Sequence, residues 1–303
     1  MGYQFKQEES LASGVHRIAQ EQLSQAICEL QNPKRDRHQA IHEVRKQFKK
    51  LRGLIRLVCS GLGDDFSRLN IWYSAAGRRL SRVRDAESML ESLKKLSKRF
   101  SDSGYEALFS EFEKKLLIRR QNIVEEWIDL DRELEKLSEQ LEEARDSVGN
   151  WKIEGAVEKI ISHGLKQTYQ QGAKALKKIH RRPNDELLHD CRKASKNHLY
   201  HMRLIVDVWQ PVISARIVEL DRLNDLLGDD HDLAVMTQLV QNEERVLETS
   251  TDIDLLLKMI KQQRKELQSA AFKIADRVYA EKSKAFAHRM RTYWNLWQNQ
   301  CSR

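Results

Sequence analysis

Shifted by 147 positions, the chain falls onto itself without a gap. His42, Arg45, Lys46, Lys49 and Arg56 land on His189, Arg192, Lys193, Lys196 and Arg203. The same shift carries His16 to His163, Gln20 to Gln167, Ala26 to Ala173, Leu57 to Leu204, Leu80 to Leu227, Asp85 to Asp232 and Met89 to Met236. A repeat this long means two similar halves, residues 9–148 and 151–303, and not the short units of a solenoid. Any fold for the chain must build one arrangement twice.

The strongest part of the repeat is a basic amphipathic segment. At roughly 100° per residue, His38, His42, Arg45, Lys46, Lys49, Arg52 and Arg56 share about one third of a helix circumference. Val44, Phe48, Leu51, Ile55, Val58 and Leu62 fall opposite and supply a face for a core. No acid lies in the stripe, and Glu43 sits to one side of it. An ordinary solvated helix mixes Glu with Lys at i,i+4, so a bland basic surface is the weaker reading once the stripe recurs.

Three prolines and twelve glycines in 303 residues argue for helices nearly throughout. The first helix spans about Glu9 to Gln31, with His16 and Gln20 on one face. The basic helix stops at Ser60-Gly61-Leu62-Gly63-Asp64. One helix then carries Leu69, Trp72, Ala76, Leu80, Val83 and Met89 inward, with Arg78, Arg82 and Asp85 on one face and Arg79 and Arg84 at its flanks. After a joint at Ser97 to Gly104, a seam of Trp127, Leu130, Leu134, Leu137, Leu141, Ala144 and Val148 alternates three and four apart and needs a partner helix. Ten acids against three bases lie between Glu125 and Asp146, so the rest of the chain is the more basic.

The second half follows the same order from Trp151. Its proline joints are Pro183 and Pro211, and its last stretch, about Asp252 to Gln300, carries Lys258, Lys261, Arg264, Lys265, Lys273 and Arg277. Four helical segments per half with short connections predict an all-α protein of two tandem four-helix bundles. The net charge of +8 and pI near 9.2 suggest an anionic partner. Cys28, Cys59, Cys191 and Cys301 show no paired spacing, which predicts free thiols in a reducing compartment. The N-terminus lacks an apolar leader, Lys6 stands where a myristoylation signal wants Ser or Thr, and no apolar run is long enough to span a bilayer. A soluble cytoplasmic protein without a membrane partner is the expectation.

Tandem helices bearing H-x-x-R-K-x-x-K, each followed by a helix with Leu-x-x-x-Arg-Asp or its variant, and a C-terminal AFAHRMRTYW, resemble the CHAD family, the conserved histidine α-helical domain. The resemblance covers nearly all of 1–303 as one CHAD-like domain of the stand-alone type. It implies two bundles related by a pseudo-two-fold, with a basic groove or pore between them that binds inorganic polyphosphate. It also implies a binding protein and not an enzyme, with no cofactor, no catalytic or metal-ligating set, and an association with polyphosphate granules. The binding residues so implied are His38, His42, Arg45, Lys46, Lys49, Arg52, Arg56, Arg78, Arg82 and Arg84 in the first half. In the second they are His189, Arg192, Lys193, Lys196, Tyr200, Arg203 and His231. Leu199 replaces the base expected opposite Arg52, and His231 replaces the Arg of Arg-Asp. The second half is therefore the weaker contributor unless Lys174, Lys177 and Arg203 compensate.

Chemistry supports the same ligand. A flexible polyanion is well held by a row of Lys and Arg, where Arg grips phosphate bidentately and Lys acts as a point charge. General RNA or DNA binding is the alternative, but Tyr200 is the lone aromatic of the stripes, whereas single-stranded sites interleave stacking rings, and no helix-turn-helix, zinc or RRM signature is present. His42-Glu43-Val44-Arg45 also resembles a phosphoacceptor box, which makes histidine phosphotransfer a minor alternative; no Gly-rich ATP lid accompanies it. His198, His201, His231, Asp229, Asp230 and Asp232 lack the spacing of a known metal set and read better as satisfied helix positions. Asp85 and Asp232 are the recurring carboxylates, with neighbours that suggest ion pairing and not metal-assisted hydrolysis.

Overall fold

A computed structural model describes residues 2–32, 34–101, 104–125, 130–242 and 250–299, apart from the side chains of Arg82, Val83, Val124, Ser250 and Thr251. The described residues form helices and no strand. In the first half these are α1 (Leu11–Gln31), α2 (Arg37–Leu57), the short α3 (Cys59–Leu62), α4 (Asp65–Arg79), α5 (Ser81–Arg99), α6 (Glu106–Glu125) and α7 (Leu130–Asp146). The second half has α8 (Val157–Arg181), α9 (Asp185–Leu204), α10 (Gln210–Asn242), α11 (Ser250–Val278) and α12 (Ser283–Asn299). The last stretch is thus two helices, α11 and α12.

Both basic helices start on an Asx cap. Asp36 accepts from the Gln39 amide at 3.0 Å and Asn184 from the Leu187 amide at 2.8 Å, each cap worth about 1 kcal/mol. Pro211, expected in a loop, lies instead in the first turn of α10, where a missing amide proton costs little. Pro33 and Trp127 lie outside the described residues.

Packing follows the repeat. α1 lies on α2 as α8 lies on α9, α5 on α6 as α10 on α11, and α1 on α7 as α8 on α12. The halves differ after the basic helix. The single helix expected from Leu69 to Met89 is two, broken at Leu80 (φ −90°, ψ 3°), whereas α10 runs unbroken through the matching register. Here the Arg45 guanidinium donates to the Gly77 carbonyl in the last turn of α4. At the matching positions of α10 and α9 the chain has Asn224 for Gly77 and Ser195 for Phe48. Ser195 Oγ bonds Asn224 Oδ1 at 3.0 Å, and Asn224 Nδ2 donates to the Leu220 carbonyl at 2.7 Å. A large ring against glycine in one half is exchanged for two hydrogen-bonded polar side chains in the other.

One apolar core draws on both halves, from Val15, Ile18, Leu51, Leu54 and Leu141 to Leu165, Leu199, Leu220 and Phe286. A second joins α5 and α6 to the distal parts of α10 and α11 through Leu93, Phe112, Met236 and Leu256. The expected seam holds: Leu130, Leu134, Leu137 and Leu141 are buried, with α7 packed on α1. Glycine permits the closest interhelical approach, since a Cβ at Gly164 would lie 2.1 Å from the Leu57 carbonyl oxygen. The N-terminal segment then ties the halves together. The Tyr3 hydroxyl donates to the Lys50 carbonyl at 2.7 Å and the Phe5 amide to the Leu204 carbonyl at 2.8 Å.

Candidate anion-binding cleft

α2 and α9 cross where Gly53 meets Tyr200, with their basic stripes on the side of the crossing that α8 flanks. A cleft of about 780 Å³ opens there. Lys49, Arg52 and Arg56 line it from α2, and Arg192, Lys193, Lys196 and Tyr200 from α9. Lys174, Lys177, Lys178 and Arg181 close it from α8. Asp190 is the one carboxylate in the lining, and Lys193 pairs with it at 2.7 Å.

Desolvation and the crowding of cations together lower their proton affinities. Lys49 is exposed in the cleft, yet its ammonium is drawn down to about 8, first by the desolvation of the surrounding protein, then by Arg192, Arg45, Lys196 and Arg84. Arg52 is lowered to about 10 by desolvation, with Arg56 and Arg78 adding to it. Lys196 is lowered by desolvation and the Arg203 charge. Asn70 takes part of the load as Oδ1 accepts from Arg52 Nε at 3.1 Å and from Arg56 at 3.0 Å. Leu199 is fully buried, so α9 offers core where α2 offers Arg52. The second half is nonetheless not the weaker contributor, since seven of the ten basic residues lining the cleft come from it, Lys174 and Lys177 among them.

The remaining expected residues lie outside the cleft lining. Arg45 and Arg84 stand close enough to depress Lys49, but Arg45 is tied to Gly77, and Arg84 is held by both oxygens of Glu91 at 3.0 Å. Lys46 is not free, because Glu43, to one side of the stripe by sequence, reaches it at 3.1 Å. Arg203 grips both oxygens of Asp221 at 2.7 Å. Arg78 contacts Ser74 Oγ at 3.3 Å, and His38 is half-buried. The His42 ring is exposed, lowered by desolvation and by Arg84. The Arg82 side chain lies outside the described residues. His189 and His231 stack at 4.7 Å beside Arg192, and desolvation with Arg192 takes His231 down to about 4. Tyr200 is 3% exposed, packed edge-on against Tyr3, with Lys196 over its ring. It therefore offers no open face on which a base could stack.

Sequence reasoning missed Lys178 and Arg181, and took Lys174 and Lys177 only as compensation. Their spacing of three, four and seven was a legible signal, since it is the same stripe pattern that marks α2. Four of the six histidines and acids considered for a metal are engaged elsewhere. His201 Nε2 meets the Gly53 carbonyl at 3.1 Å, His198 Nε2 accepts from Arg216 Nε at 3.1 Å, and Asp230 accepts from Arg264 at 3.0 Å and Gln268 at 2.8 Å. Asp229 accepts from Lys95 at 2.6 Å. Among the described residues no group of three or more His, Cys, Asp or Glu is placed to hold a metal ion. Cys28, Cys59 and Cys191 are unpaired, and Cys301 lies outside the described residues. No helix among the described residues is long and apolar enough to cross a membrane.

No curated protein is similar enough to the chain to count as a relative. Among solved structures, PptA from Streptomyces chartreusis has a similar fold, with a TM-score of 0.56 at 13% identity over 89% of this chain and 99% of that one. The CHAD domain model matches residues 17–241, a span that holds α2, α8, α9 and every residue lining the cleft. The chain belongs to the CHAD domain family.

Proposed function

We propose that the chain binds inorganic polyphosphate in the cleft between α2, α8 and α9, without turning it over. The lining carries the reading: ten Lys and Arg side chains from three helices meet one carboxylate, and that one is already paired. Such convergence costs stability through self-repulsion, and a polyanion relieves it. Desolvation first, and neighbouring cations second, lower the proton affinities of Lys49 and Arg52. A row of guanidinium and ammonium groups asks nothing of its ligand but closely spaced negative charge. Arg45 and Arg84 extend the positive region beyond the cleft, and the stacked rings of His189 and His231 line its edge beside Arg192. Binding would carry the protein to polyphosphate granules in the cytoplasm.

Asp85 and Asp232 do not suggest a hydrolase. Arg45, Lys49 and Arg84 act on the first, and Arg192, Arg84 and Lys95 on the second, so both serve as counter-charges inside the basic region.

The test is a titration with long-chain polyphosphate at several salt concentrations. Affinity should fall log-linearly with salt as counterions are released, and the melting temperature should rise with occupancy. Single-stranded RNA of equal charge should displace the ligand poorly, because Tyr200 is packed away. RNA that competes equally would make this a general nucleic-acid binder. Steady phosphate release with magnesium would make it an enzyme.

A further inference from the structure

The lysines of the two basic helices differ in what holds them. Glu43 holds Lys46 at 3.1 Å and Asp190 holds Lys193 at 2.7 Å. Lys50 and Lys196 lie over the rings of Tyr3 and Tyr200, at 5.6 and 5.8 Å. Among the described residues Lys49 has neither an ion-pair partner nor a ring beneath it. The charges that act on it most are Arg192, Arg45, Lys196 and Arg84, gathered from α9, α2 and α5. Asp85 also feels Lys49, but shares its single charge with Arg45 and Arg84. Lys49 is nonetheless exposed and lines the cleft.

We infer that Lys49 is a nucleophilic lysine, a site at which acyl phosphates acylate this protein, and that a polyanion bound in the cleft shields it. Two conditions make an amine reactive toward such a donor, and the cleft meets both. The first is an unprotonated fraction. Desolvation and neighbouring cations activate lysines, and an ammonium lowered to about 8 is roughly one tenth neutral at pH 7, against well under a thousandth for an ordinary lysine. The second is local concentration of the electrophile. A small acyl phosphate carries the anionic group that the surrounding arginines attract, and that group becomes the leaving group. The Nζ lone pair attacks the acyl carbon, and the N–C bond forms as the C–O bond to phosphate breaks. Phosphate departs with that bonding pair, and the surplus proton on nitrogen passes to water. The product is a neutral amide at position 49, one cation fewer where the stripes of the two halves meet.

Opposition between donor and polyanion follows. A bound polyanion favours the charged ammonium and covers it, whereas prior acylation removes a charge that the polyanion uses. The shielding rests on the polyphosphate reading above; the reactivity rests on the cluster alone.

The experiment treats the full chain with acetyl phosphate at pH 7.5, with and without excess long-chain polyphosphate, and follows each lysine by peptide mass spectrometry. Lys49 should acetylate at least five-fold faster than Lys46 or Lys193. Polyphosphate should slow Lys49 at least ten-fold while leaving the exposed Lys258 unchanged. Pre-acetylated protein should bind polyphosphate several-fold more weakly. Lys49 reacting no faster than Lys46 overturns the inference, whether or not polyphosphate binds. Fast Lys49 without protection, in a protein whose titration shows no binding, upholds the reactive lysine and removes the polyphosphate reading instead. Fast Lys49 without protection in a protein that does bind polyphosphate places the ligand elsewhere and overturns the shielding.

Discussion

Gly53 and Tyr200 are separated by the same 147 positions that relate the two basic helices, and they touch. A Cβ on Gly53 would sit 2.7 Å from the Tyr200 Cβ and 2.9 Å from the Tyr3 hydroxyl. They meet at the α2–α9 crossing, with basic residues of both helices lining the cleft beside it. The Gly53 carbonyl, freed for close approach, also accepts from the buried His201. Neither Tyr200 Cβ nor the α9 backbone behind it can step aside cheaply. Gly53→Ala should therefore cost ~1–3 kcal/mol by overpacking, read as a lower melting temperature. It should also weaken polyphosphate binding, because the stripes are pushed apart. An alanine variant as stable as the parent would mean that the crossing is looser than described.

The α8 side of the cleft gives a test that α2 and α9 cannot, because Lys174, Lys177, Lys178 and Arg181 are all exposed. Changing the four to alanine should leave stability within about 0.5 kcal/mol. If each meets one phosphate, the slope of log affinity against log salt should fall by about 0.7–0.9 for every side chain removed. An unchanged slope would confine the ligand to α2 and α9.

Arg203 sits on the basic stripe by sequence but is engaged by both Asp221 oxygens. Its charge reaches Lys196 and Tyr200 without lining the cleft. Arg203→Ala should cost less than about 1 kcal/mol, as a partly exposed pair. It should reduce polyphosphate affinity less than Lys196→Ala, by calorimetric titration. The reverse order would mean that Arg203 leaves Asp221 when ligand arrives.

The helical class, the α2 and α9 stripes and the α7 seam were legible because each is written in the spacing of one segment. Whether a cation is free is not a property of one segment. Arg203 finds Asp221 and Arg79 finds Glu133 at 2.6 Å across helix pairs, pairings that depend on which helices become neighbours. The α8 lysines carried a local pattern, but its meaning came from α9 lying alongside. The break at Leu80 had no glycine or proline to announce it beyond Gly77. It is bound up with the Arg45–Gly77 hydrogen bond and the exchange of Phe48 and Gly77 for Ser195 and Asn224, which the sequence displays only as mismatches in the repeat.

Acid should unfold the protein through histidines that the fold holds neutral. His201, fully buried with its Nε2 on the Gly53 carbonyl, is held down to about 3, first by desolvation. His231 is held to about 4 by desolvation, Arg192, His189 and Arg264, with Asp185 opposing. Both are neutral in the fold and would take up a proton near 6.5 when unfolded. The unfolded state therefore binds more protons between those limits, and stability falls as pH drops. The contribution is whole above about 6.5, and each unit below costs up to ~1.4 kcal/mol per histidine until the folded values near 4 and 3 are reached. Carboxylates titrate in the same range, so the readout is a difference between variants. His201→Gln should be less stable than the parent at pH 7, and the gap should narrow steadily from pH 6.5 to 4. For His231→Asn the narrowing should shrink when polyphosphate is present, because a nearby polyanion raises the imidazole's affinity for protons. Parallel stability curves for parent and His201→Gln across that window would show that the buried imidazole does not set the acid limit.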